Sequence, residues 1–157
     1  MFITTSRKSN LLSKRFSKYL SIFLPDISYI PRGKTNLKKL FEKAIYLGHK
    51  YFLEISNDKG QTILSIFSFK ESSFFLEREY ILDVLEIRSL KPLKKIILIN
   101  NKVYDLKKVF YFLKKDNISL KKEYGLFEIE ENIFEFLENK QSLGFKFKII
   151  SVKKFDN

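Results

Sequence analysis

Thr4-Thr5-Ser6-Arg7-Lys8 is a polar, basic turn between a short apolar start, Phe2-Ile3, and a helix-period stretch beginning near Asn10. Pro31-Arg32-Gly33-Lys34 repeats the arrangement further on: a strand, then a loop holding Arg and Lys, then a helix. Strand–loop–helix units in succession predict an α/β fold. Helix N-termini carry partial positive charge and unsatisfied N–H groups, so acids are favoured in the first turn. Here Arg7 and Lys8 precede the first helix, and Lys34, Lys38 and Lys39 crowd the start of the second. That placement is mildly unfavourable for an isolated helix and becomes favourable when an anion sits there. Gly33 lets the backbone approach such an anion closely.

Reading outward, residues 2–5 form a short strand, and helix one runs from Asn10, a competent N-cap, to Phe23. Its expected buried stripe is Leu12, Phe16, Tyr19, Leu20 and Phe23, with Lys14 and Lys18 on the polar side and Arg15 beside them. Pro25-Asp26 ends it, and Ile27 to Ile30 reads as a strand. Thr35 or Asn36 caps helix two, whose stripe is Leu37, Leu40, Phe41, Ala44 and Ile45, with Gly48 at C′. Lys50 to Ser56 and Gln61 to Phe69 read as strands joined by the turn Asn57-Asp58-Lys59-Gly60.

Phe74 to Ser89 reads as one or two strands, broken at Lys91-Pro92, and Ile96 to Ile99 as a buried strand. Helix three is expected at about Tyr104 to Lys115, a strand at Leu126 to Ile129, helix four at Glu131 to about Ser142, and a closing strand at Phe145 to Val152. Leu47-Gly48-His49-Lys50-Tyr51-Phe52-Leu53 echoes Leu143-Gly144-Phe145-Lys146-Phe147-Lys148-Ile149. The echo admits two readings: a duplicated half-domain, or two helices that both end at glycine.

The 157 residues are 45% hydrophobic, with 17 Phe and 8 Tyr, enough for a core. No cysteine is present and histidine occurs once, as His49, which excludes disulfides, thiolate zinc and multi-histidine metal sites. No apolar run reaches the roughly 18 residues of a membrane-spanning helix. Residues 9–24 are rich in Ser, Lys and Arg and free of acids, as in organellar transit peptides. Phe2 to Thr5 reads as structure, however, and no cleavage-like boundary follows, so an intracellular, cytoplasmic protein is expected.

The net charge is +12, and residues 1–50 carry 11 Lys/Arg against 2 Asp/Glu. A basic patch concentrated in one third is the footprint expected for a nucleic acid or an anionic membrane surface; a lysine-rich composition serving solubility is the alternative. Catalytic readings find no support. Ser6 or Ser9 with His49 lacks nucleophile-elbow spacing, and His49 past a helix end reads as structural or solvated. Glu128 and Glu130 share a strand face while Glu131 suits a helix start, so they make no convincing magnesium site. No P-loop or dinucleotide fingerprint occurs.

Ile3-Thr4-Thr5-Ser6-Arg7, the basic helix with Phe16, and Arg32-Gly33-Lys34 opening a second helix together resemble the Brix-domain family of ribosome-biogenesis factors. The short length is similar to its archaeal single-domain members. Where the family usually has Pro-Ser after the Thr-Ser-Arg turn, this chain has Ser9-Asn10, and Leu12 stands where a basic residue is common. The resemblance implies a single domain, 1–157, of two fused, pseudo-duplicated α/β halves, about 1–72 and 73–157. Each half would resemble the anticodon-binding domain of class II tRNA synthetases.

It further implies rRNA binding and non-catalytic help in pre-rRNA processing and subunit assembly. Partners would be rRNA or pre-rRNA and ribosomal or assembly proteins, with no cofactor, metal, membrane or small-molecule substrate. The expected RNA contacts are Arg7, Lys8, Lys14, Lys18, Arg32, Lys34 and Lys38, with Thr5, Ser6 and Gly33 shaping the loops. A protein–protein scaffold whose charge serves only solubility is the rival expectation.

Overall fold

The computed structural model describes residues 1–23, 27–88, 124–138 and 141–155. The expected helix stop at Pro25-Asp26, break at Lys91-Pro92, strand at Ile96–Ile99 and helix three lie outside the described residues. Among those described, the elements are β1 (Phe2–Thr5), α1 (Leu11–Phe23), β2 (Ser28–Tyr29), α2 (Leu37–Tyr46), β3 (Tyr51–Asp58), β4 (Gln61–Lys70), β5 (Ser73–Ile87), β6 (Tyr124–Glu130), β7 (Ile133–Glu138) and β8 (Gln141–Lys154). They form one mixed sheet in the order β2-β1-β3-β4-β5-β8-β7-β6. β1 runs parallel to both β2 and β3, and every other pairing is antiparallel.

Successive strand residues face opposite sides of a sheet, and β1 uses both sides. Ile3 joins Phe16 and Leu20 of α1, whereas Phe2 joins Leu40 and Ala44 of α2. The two helices therefore cover opposite faces. On the α2 face, Phe41 packs against Phe52 and Phe74, with ring centroids 4.9 and 5.1 Å apart. On the α1 face, Phe16 meets Phe145 and Phe147 of β8 at 5.1 and 5.6 Å.

β8 lies four positions from β1, about 19 Å across a flat sheet at ~4.8 Å per strand. One helix touches both, so the sheet curls around α1. Register shifts at Ile66/Phe67, Ile81/Leu82 and Val84/Glu86 add bend to the long β5.

Local chemistry explains the boundaries. Asn10 Oδ1 accepts the Ser13 N–H (2.8 Å), and Asn36 Oδ1 accepts the Lys39 N–H (2.8 Å), capping both helices. α2 ends in a Schellman arrangement: His49 N–H donates to the Ala44 carbonyl and Gly48 N–H to that of Ile45. Gly48 supplies the left-handed φ of +70° there. Lys59 and Gly60, both at positive φ, make the two-residue turn expected between β3 and β4. Glu71 and Ser72 do the same before β5, which is one continuous strand.

Three sequence expectations are corrected. Helix four is the strand β7. Ile133, Phe134 and Leu137 fit a helical period, but Phe134 and Phe136, both buried, also fit a period of two, and aromatic residues favour the pleated option. The acids read as a helix start sit in a hairpin turn, where Asn132 adopts φ +59°. Consequently Gly144 ends no helix; it lies within β8, at φ +70°, with its carbonyl accepting the Arg88 N–H at 2.8 Å. Ile45, expected in the α2 stripe, is 37% exposed because α2 rests only on the end of the sheet covered by Phe2, Phe52 and Phe74.

Candidate nucleic-acid interface

β1 and β2 are adjacent and parallel, yet the chain leaving β1 enters α1 on one face and the chain leaving β2 enters α2 on the other. Open α/β sheets bind ligands in the crevice beyond the carboxyl ends of strands that diverge in this way. The two basic loops singled out in the sequence stand there together.

The loops are tied down by their own polar groups. Thr4 Oγ1 donates to the Ile30 carbonyl (2.7 Å), and the Ser6 N–H donates to that of Ile55 (2.8 Å). The Asn10 N–H donates to Asn57 Oδ1 near the end of β3 (2.9 Å). Gly33 turns the second loop at φ +54°. Arg7 Nη2 donates to the Lys34 carbonyl (3.2 Å), so one predicted contact residue clips the first loop to the second.

Arg32 is engaged in a different way. Its Nη1 pairs with Glu54 Oε1 of β3, and its Nε donates to the Thr35 carbonyl (3.2 Å). The side chains of Arg32 and Glu54 are only 12% and 14% exposed. Burial holds the Glu54 carboxyl above the usual carboxylate range, and Arg32 pulls it back down. Arg32 thus anchors the loop to the sheet.

A groove of about 410 Å³ runs between α1 and the sheet edge. Leu11, Lys14, Arg15 and Lys18 of α1 form one wall; Tyr29 of β2 with Pro31, Arg32 and Gly33 forms the other, and Thr5 also lines it. Among the described residues, four cations border it and no acid does. Neither helix has an acid in its first turn.

Of the expected residues, Thr5, Lys14, Lys18, Arg32 and Gly33 meet in the groove, while Ser6, Arg7, Lys8, Lys34 and Lys38 lie outside its lining. Arg7, Lys8, Lys34 and Lys38 are exposed around the same end of the sheet. Arg15, Tyr29, Leu11 and Pro31 were not in the expected set. Arg15 was signalled by its place beside Lys14, whereas Tyr29 could not be told from a core aromatic until the edge position of β2 was known. His49 packs edge-on against Phe2 at 5.6 Å, and burial lowers its pKa, which favours the structural over the solvated of the two readings expected of it.

No family model matches the chain. It is 32% identical over 96 residues to a probable Brix domain-containing ribosomal biogenesis protein of Saccharolobus solfataricus, a match covering 55% of this chain. That match spans 56% of the relative, little more than half its length. An archaeal Imp4-like protein shares the fold at a TM-score of 0.68 with 18% identity, over 99% of this chain and 100% of that one. A probable ribosomal biogenesis protein of Aeropyrum pernix superposes at a TM-score of 0.65 with 14% identity, over 99% and 98% of the two chains. The chain therefore has the fold of archaeal Imp4-like proteins along nearly its whole length, and its resemblance in sequence is to the Brix-domain ribosomal biogenesis proteins.

Proposed function

We propose that this protein is an rRNA-binding ribosome-biogenesis factor that grips RNA backbone at the crevice between α1 and the β2–α2 loop. The observation that carries this reading is the groove itself, bordered by Lys14, Arg15, Lys18 and Arg32 with no acid among the described residues of its lining. Lys14, Arg15 and Lys18 are exposed along one side of α1, while Arg7, Lys8, Lys34 and Lys38 extend the positive field around it. Cations so placed position a nucleic acid by its phosphates without reading its sequence. The relatives in sequence and fold supply the biological setting. In that setting the protein assists pre-rRNA processing and subunit assembly in the cytoplasm, beside ribosomal or assembly proteins, and catalyses nothing.

Duplication of two halves like the anticodon-binding domain belongs to the same proposal. It rests on the family resemblance, since the helix before Gly144 that would have supported it is a strand.

Filter binding of a structured rRNA fragment over a salt series tests the reading. Removing one cation that meets a phosphate lowers the slope of log K against log salt by about 0.7–0.9. Lys14→Ala with Lys18→Ala should weaken binding and flatten the slope by about 1.5. An unchanged affinity and slope would refute RNA binding at this face and favour a scaffold whose charge serves solubility.

A further inference from the structure

The groove is not lined like a surface that meets phosphates alone. Leu11, at the first position of α1, is 65% exposed and borders the groove rather than the core. Tyr29 stands opposite, on a two-residue strand at the edge of the sheet formed by the described strands. It pairs with Ile3, so its ring lies on the α1 face, packed partly against that core and partly on the groove. Pro31 continues the apolar wall. Lys14 and Lys18 stand one turn apart, with about 6 Å of helix rise between them. The volume, about 410 Å³, falls within the range of pockets that hold one small organic ligand.

An apolar and aromatic slot flanked by cations is the combination that receives a base together with its phosphates. In an A-form duplex the base faces are hidden by stacking, so a duplex offers such a slot nothing but its backbone. We propose that the groove takes one unpaired nucleotide of the RNA, its base against Tyr29 and Leu11 and its flanking phosphates beneath Lys14 and Lys18. This inference rests on the RNA-binding reading and adds its selectivity: single-stranded loops, bulges or ends rather than uninterrupted helices.

Fluorescence anisotropy with the full chain tests it, using a short single-stranded RNA, the same RNA with abasic residues, and a blunt duplex of equal length. The single strand should bind more tightly than either other probe. A base stacked on an aromatic side chain contributes about 1–3 kcal/mol, so abasic substitution and Tyr29→Leu should each weaken binding about 5- to 150-fold. Neither should change the salt slope, and Tyr29→Phe should bind within about threefold of the parent. The abasic probe needs no variant, so the outcome does not depend on whether Tyr29→Leu folds. Equal affinity for abasic and intact strands overturns the nucleotide slot. If Lys14→Ala with Lys18→Ala still flattens the slope in that case, phosphate gripping survives; if the slope also stays fixed, both readings fall.

Discussion

Arg32→Ala should destabilise the fold, and by more at neutral pH than in acid. The substitution removes the guanidinium from Glu54, leaving a carboxylate on β3 that is 14% exposed and has no ion pair. Deleting one partner of a buried pair costs about 3–5 kcal/mol. Both side chains here keep a little contact with water, so we predict about 2–4 kcal/mol. That is a large share of the 5–15 kcal/mol typical of a whole domain.

The pH dependence follows from Glu54. Its carboxyl is held above its ordinary value chiefly by burial, with Glu79 adding to the shift and Arg32 opposing it. Without Arg32 it rises further. A carboxyl whose folded pKa exceeds its unfolded one takes up a proton on folding, so stability falls as pH climbs through that window and levels off above it. The deficit should therefore be smaller at pH 4, where the carboxyl is closer to neutral in both the variant and the parent, than at pH 8. The chain has no Trp, so urea unfolding is best followed by circular dichroism at the two pH values. Adding Glu54→Gln should recover most of the loss at pH 8. An equal deficit at both pH values, or a double variant as unstable as Arg32→Ala, would refute a structural ion pair. The same pair makes Arg32→Ala a poor probe of RNA contact, since any weakening of binding would be mixed with a loosened loop.

Asn36→Ala removes the acceptor of the Lys39 N–H and should cost about 0.5–2 kcal/mol in urea unfolding. Gly144→Ala would put a methyl 2.7 Å from Arg88 Cβ at φ +70°, whereas Gly48→Ala shares that φ but meets nothing within 4 Å. Thermal unfolding should therefore show a larger loss for Gly144→Ala, the difference between the two reporting the clash alone. Phe136→Ala, at a fully buried position of β7, should cost about 3–5 kcal/mol by the same urea assay; a loss below 1 kcal/mol would show that this segment does not line the core.

What could be read in the sequence was what neighbouring residues decide between themselves. Caps at Asn10 and Asn36, the Lys59-Gly60 turn and the Gly48 helix stop all depend on groups within a few residues, and all are present. The α1 stripe shows where this ends. Ser13 and Ser17 are fully buried, while Leu12 and Tyr19 are only half-buried. Ser17 Oγ donates to the Ser13 carbonyl, and Ser13 Oγ to that of Ser56 on β3, so small side chains let the helix sit close to the sheet. Hydrophobicity alone could not rank a serine above a leucine there. The Leu-Gly echo misled for a related reason. Glycine declares a left-handed residue, and both copies have φ +70°, but it does not say whether a helix or a strand surrounds it.

The same limit separates the cations. Seven basic side chains were expected to meet phosphate because they cluster near two loops. Which are available depends on partners that the fold brings from afar: Glu54 on β3 for Arg32, and the Lys34 carbonyl, 27 residues away, for Arg7. Those two arginines fix the loops to the sheet and to each other. Holding the loops in place keeps Lys14 and Lys18 facing Tyr29 across a defined gap, so in the proposed RNA complex the lysines would carry the electrostatic contact and the arginines its geometry. A protein that gripped RNA by charge alone would need no such division, because flexible lysines reach phosphates from many backbones. In the proposed complex, the buried pair beneath an open, cationic groove would suit a ligand whose shape has to be met.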